Sequence, residues 1–155
     1  MALIGFEHAI AEKNLLRKAL LSFGNRNEII HCEIILPNRN LRLSSWHDNG
    51  VEARQLSDIS LNQYLLFDLG QNNDALIIAF FESHKGKKYD KVSLFTDLIL
   101  GLNLKNNDKF FCSEICYRLL KDELMLSLPD KVASQVSPQE LYEMILLLNI
   151  PQVYV

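Results

Sequence analysis

Three thiols and four imidazoles are the side chains best suited to covalent chemistry in this chain of 155 residues, and two short runs concentrate them. In Phe110-Phe111-Cys112-Ser113-Glu114, Cys112 sits where an irregular polar loop, Asn106-Asn107-Asp108-Lys109, gives way to a helix predicted to start near Ser113. A thiol attacks only as the thiolate, and free thiols titrate near about 8.5, so a reactive cysteine needs a field that stabilises S⁻. The unpaired N–H groups of a helix start and a neighbouring imidazolium both supply one, and the same N–H groups can receive an oxyanion. The competing reading makes Cys112 a small apolar filler behind two phenylalanines. Cys116, one turn later, and Cys32 fit that packing role.

The base candidate comes from His31-Cys32-Glu33. On a strand, residues i and i+2 share a face, so His31 and Glu33 project together while Cys32, Ile34 and Leu36 point the other way. A carboxylate beside an imidazole fixes its tautomer and stabilises the imidazolium. His47 falls at a predicted hairpin and is expected to be exposed, and His8 and His84 have no notable partners in the sequence. His31, Glu33, Cys112, Glu114 and Cys116 would offer a metal mixed ligands. Structural zinc sites, however, pair two close cysteine or histidine couples, and only Cys112 and Cys116 are close here. No metal or cofactor is expected. Glycine-rich phosphate cradles and the Gly-x-Ser-x-Gly elbow are absent.

The elements that must position these groups follow from periodicity. After a short apolar opening, Ala9 to Phe23 carries apolar residues at spacings of three and four and reads as a helix closed by Gly24, followed by a turn at 25–28. Ile29 to Leu36 is isoleucine-rich, short, and ended by Pro37-Asn38, so it reads as a buried strand. Leu41 to His47 and Val51 to Leu56 flank Asp48-Asn49-Gly50, a hairpin signal. Leu61 to Leu69 is a further candidate strand, and Asn73 to Ser83 a helix starting at an Asn cap and broken by Lys85-Gly86-Lys87. Helices are predicted at Val92 to Leu100 and at Ser113 to Leu124, the latter with a stripe of Ile115, Leu119, Leu120 and Leu124. Ser137-Pro138-Gln139-Glu140 has capping-box spacing, so a last helix runs to about Leu148. Together these describe one α+β domain over residues 1–155.

Composition narrows the function classes. Apolar residues make up 48% of the chain and charged residues 23%, enough to build a core. A net charge of −3, spread along the chain, argues against a nucleic-acid module. The short basic clusters Arg39 to Arg42 and Lys85 to Lys88 read as solvated loops. No secretory signal and no transmembrane segment is visible, and three cysteines are too few for a disulfide scaffold. Reduced thiols in the cytoplasm are therefore expected.

Four stretches in order, His31-Cys32-Glu33-Ile34, Ser44-Ser45 through Gly50-Val51, Gly86-Lys87-Lys88-Tyr89-Asp90 and Phe111-Cys112-Ser113-Glu114, precede a late Ser137-Pro138. Their order resembles the circularly permuted branch of the NlpC/P60 papain-like superfamily, the YiiX/YebB-like proteins, in which the histidine strand comes before the cysteine helix. The resemblance covers about residues 29 to 140, and the helix Ala9 to Phe23 is an insertion relative to the family's shorter approach. It implies a papain-like fold, a small antiparallel sheet or partial barrel packed with helices. It further implies a Cys112 thiolate, His31 as general base and acid, and Glu33 orienting the imidazole, with Ser44 or Ser45 as substitutes. Tyr89 would place its hydroxyl near the nucleophile and Asp90 would cap the next helix. The activity implied is that of a cysteine hydrolase, such as an amidase or peptidase, or an acyltransferase. The substrate would be an amide or ester in a peptide, cell-wall fragment or lipid; the alternatives are a non-catalytic peptide- or lipid-binding module of the same fold and, ranked below it, a metal-binding domain.

Overall fold

Ile29–Leu36 is buried along all eight residues, as its run of isoleucines requires, and it organises the sheet. The computed structural model describes residues 1–8, 29–70, 73–87 and 111–154. The predicted helices Ala9 to Phe23 and Val92 to Leu100, the turn at 25–28, Tyr89, Asp90 and the loop 106–109 lie outside them. In chain order the strands are β1 (Leu3–His8), β2 (Ile29–Leu36), β3 (Leu41–Trp46), β4 (Gly50–Gln55), β5 (Tyr64–Asp68) and β6 (Gln152–Val153). They form a six-stranded sheet in the order β4-β3-β2-β1-β5-β6, with every neighbouring pair antiparallel.

The apolar opening, to which the sequence reading assigned no element, is thus a central strand. β1 carries no clean alternation because both of its faces are covered, which removes the polar half of the pattern. Leu3 belongs to one face, with Ile35 and Leu66; Ile4 and Phe6 belong to the other, with Ile34, Leu36 and Phe67. Gly5 lies opposite Glu33 on one side and Leu66 on the other. A Cβ there would come within 2.9 Å of Ile35 Cδ1 and 3.2 Å of the Tyr64 ring, so glycine lets these side chains close over the strand. β6, too short for any periodicity, was likewise not foreseen.

Three α-helices stand among the described residues: α1 (Asp74–His84), α2 (Cys112–Arg118) and α3 (Pro138–Leu147). Asn73 precedes α1 without a side-chain capping bond, contrary to the cap expected of it, and Gly86 at φ +77° follows the helix as a breaker. α2 begins at Cys112 itself. The predicted helix through Leu124 changes form at Leu119, where a π turn, Leu119–Glu123, is closed by Leu124 N–H donating to the Leu119 carbonyl at 2.9 Å. Its apolar stripe is nonetheless buried throughout. α3 has the full capping box: Ser137 accepts from the Glu140 N–H, and the Glu140 carboxylate accepts from the Ser137 N–H. Ile115, Cys116, Leu119, Leu141 and Ile145 join Ile4, Phe6, Cys32 and Ile34 in the main core, so the helices cover one face of an α+β fold. No helix among the described residues is long and apolar enough to cross a membrane.

Candidate active site

Two irregularities in β2 aim His31. Glu7 pairs with His31 but His8 pairs with Ile29, which leaves Ile30 as an extra residue, and such a bulge increases local twist and re-aims its neighbour. Pairing of β2 with β3 runs only from Leu36–Leu41 to Ile34–Leu43. Beyond it the Ser44 hydroxyl, not a backbone N–H, donates to the Cys32 carbonyl at 2.8 Å. Strict alternation predicts that His31 and Cys32 serve opposite faces. At this loosened end of the strand both interact with Cys112.

Cys112 is the first residue of α2, which packs across β2, and it is 2% exposed; His31 is 7% exposed. The Cys112 thiol is held well below its ordinary range. A hydrogen bond from the Cys32 thiol does most to lower it, burial works the other way, and the charge and hydrogen bond of His31 carry it further down. Burial is the main force pushing the Cys32 thiol well up, with Cys112 and Cys116 adding, so Cys32 keeps its proton and can donate it in a hydrogen bond. For His31, burial disfavours the imidazolium. Attraction to and hydrogen bonding with Cys112, followed by the interaction with Glu33, outweigh that penalty and leave its pKa pushed up to about 10. The opposite shifts favour thiolate facing imidazolium over thiol facing neutral imidazole.

Behind His31 lies Glu33, fully buried. Its Oε2 is 3.7 Å from His31 Nε2 and 3.3 Å from Arg42 Nε, distances of ion-pair contact. Arg42 was expected in a solvated basic loop. It is instead 6% exposed on β3, directly opposite Ile35, because the short connector after Leu36 sets the register so that Arg42 shares a face with Glu33. The sequence signal for that register is Pro37-Asn38, from which the pairing of β3 with β2 is counted outward. Trp46 completes the enclosure, its ring 5.9 Å from the imidazole and 5.2 Å from the Arg42 guanidinium. Burial, with the charges of Glu33 and Glu7, pushes the Tyr64 phenol well up, so it stays protonated.

The remaining sequence candidates fall elsewhere. Ser44, proposed as a substitute for Glu33, spends its hydroxyl on the Cys32 carbonyl, and Ser45 is buried on the same strand. Glu114 is buried against Arg118 Nη2 at 2.9 Å, and Cys116 Sγ lies 3.8 Å from the Cys32 carbonyl. Among the described residues no three His, Cys, Asp or Glu side chains converge as a metal site, so the mixed ligand set of the sequence does not assemble there. His47 is exposed at the hairpin. His84, expected to lack partners, places Nδ1 2.8 Å from the Phe80 carbonyl and stacks on the Phe80 ring. Tyr89 lies outside the described residues, just beyond a turn that Val51 holds through bonds with Gly86 and Lys87.

What the fold and site define is an α+β domain that buries a Cys–His–Glu array at the junction of a helix start and a bulged strand. No protein-family model matches the chain, and no curated protein or solved structure matches it significantly.

Proposed function

We propose that this protein is a papain-like cysteine hydrolase or acyltransferase of the permuted NlpC/P60 type, acting on an amide or ester through a thioester on Cys112. The observation that carries the reading is the placement of buried Cys112 at the start of α2, interacting with His31, whose imidazole has the buried Glu33 carboxylate 3.7 Å away. The thiolate attacks the carbonyl carbon, and the electron pair of the C=O bond moves to oxygen. First-turn N–H groups of α2 are suited to receive that oxyanion, a contribution of about 3 kcal/mol per donor in related chemistry. Collapse breaks the bond to the leaving amine or alcohol, which takes the His31 proton. Water or another acceptor then attacks the thioester, giving its proton to His31, and release of the acyl product restores the ion pair. Glu33 holds the imidazole throughout. Peptides, cell-wall fragments and lipid amides or esters are the substrate classes that fit this chemistry.

The test is chemical, and a small electrophile suits a nucleophile this enclosed. Folded protein treated with limiting iodoacetamide between pH 5 and 8, with adducts mapped by mass spectrometry, should be alkylated at Cys112 well below pH 8 and ahead of Cys32 and Cys116. His31→Ala should slow the reaction at low pH. Slow, equal labelling of all three thiols would sink the proposal. A panel of acyl-amide and ester probes, read as thioester formation on Cys112, then separates the substrate classes.

A further inference from the structure

The buried polar groups around Cys112 continue past the three that the reaction uses. Arg42 Nε reaches Glu33 Oε2 at 3.3 Å, and His31 Nε2 stands at 3.7 Å from the same oxygen. Neither Nε nor Nη1 of Arg42, and neither oxygen of Glu33, has a hydrogen-bond partner among the described residues; the guanidinium meets Glu33 as an ion pair and the Trp46 ring at 5.2 Å. The other guanidinium near Trp46 is already committed: Arg54 Nε and Nη2 lie 2.6 Å from Glu52 and Asp48, respectively. Charges buried in a sheet interior are strongly coupled, and removing one partner exposes the other to an uncompensated environment.

We propose that Arg42 is a positioning residue that balances the Glu33 carboxylate and thereby sets the protonation of the His31–Cys112 pair. Cys112, His31, Glu33 and Arg42 form a row of alternating charge whose sum is zero. Loss of Arg42 leaves a buried excess of one negative charge, so the row binds a proton more tightly and the thiolate becomes scarcer at low pH. Among the described residues, the other titratable groups facing this row are Glu7 across from His31 on β1, Tyr64 on β5, Cys32 beside the nucleophile and Cys116 beside Cys32. None of them is a cation that could replace Arg42. The inference rests on the reading of Cys112 and His31 as an ion pair.

The experiment is the pH profile of Cys112 alkylation by iodoacetamide in the intact protein. Arg42→Gln should raise the midpoint by about one pH unit, a tenfold loss of rate on the acid side. Arg42→Lys should stay within about half a unit of wild type, because it keeps the charge. The double variant Glu33→Gln with Arg42→Gln removes both charges and should return the midpoint toward wild type, which a purely structural role for Arg42 would not produce. An unchanged Arg42→Gln profile, or a double variant that keeps the full shift, would overturn the proposal. Should Arg42→Gln not fold, ¹⁵N NMR of His31 decides. An unopposed Arg42 should lower the His31 titration in Glu33→Gln, and the double variant should recover it by about one unit; equal titrations would overturn the proposal. A wild-type Cys112 that titrates like an ordinary thiol near about 8.5 would instead remove the ion-pair reading itself.

Discussion

A thiol beside a thiolate is a neutral donor to a charged acceptor, the stronger kind of hydrogen bond. Cys32 stands in that relation to Cys112, and its hydrogen bond is the largest single cause lowering it. Cys32→Ala should therefore raise the Cys112 alkylation midpoint by about one pH unit, or roughly 1.4 kcal/mol, while Cys32→Ser, which still presents a donor, should recover most of the loss. Equal midpoints in all three proteins would show that Cys32 only fills space. The sequence led to Cys112, His31 and Glu33 because each belongs to a short run whose residue types suggest the chemistry. In the sequence Cys32 reads as core and Arg42 as loop, for opposite reasons. Cys32 is indeed buried, but its influence depends on where β2 loosens, and the burial of Arg42 follows from strand register, which a run of basic residues does not display.

Strand β2 delivers His31 only because β1 and β3 treat it unevenly, β1 through the bulge at Ile30 and β3 by leaving it after Ile34. Such features have no signature in hydrophobic periodicity, which is why the sequence implied one face for His31 and Glu33 but not the convergence of His31 and Cys32 on one thiol. The elements with strong local signals were legible: the isoleucine-rich strand, the hairpin at Gly50, and the capping box of α3. Two substitutions probe elements without touching Cys112 or His31. Gly5→Ala would press a methyl group against Ile35 and Tyr64 and should destabilise the fold by about 1–3 kcal/mol. Ser137→Ala removes one half of the capping box and should cost about 1 kcal/mol. Urea titrations at pH 7.5 measure both. A neutral Gly5→Ala would mean that β1 does not lie where Ile35 and Tyr64 enclose it.

At the scale of the whole molecule, the ion pair links stability to pH, and the sign follows from comparing folded and unfolded chains. Unfolded, the imidazole titrates near about 6.5 and each thiol near about 8.5. Folded, His31 is raised to about 10 and Cys112 is lowered. The His31 contribution is complete below about pH 6.5 and lost as pH rises toward 10; that of Cys112 is complete above about 8.5 and lost as pH falls through its folded value. Between about 6.5 and 8.5 the two slopes cancel, since both states hold one proton on the pair, as imidazolium with thiolate or as imidazole with thiol. Above that window the unfolded thiol ionises while the folded pair keeps its proton. Stability should then fall by up to about 1.4 kcal/mol per pH unit, and Cys32, whose own thiol is raised, steepens the fall. Below the window the unfolded imidazole gains a second proton that the folded pair refuses, and stability falls again. The double variant Cys112→Ala with His31→Gln removes both titrating members of the pair and leaves the other titrating groups in place, so subtracting its unfolding free energy from that of the wild type isolates the linkage. Measured in urea at pH 5.5, 7.5 and 9.5, that difference should be largest at 7.5 and smaller by roughly 1 kcal/mol at either end. A difference that runs in one direction across all three pH values would mean that Cys112 and His31 do not titrate as a pair in the folded chain.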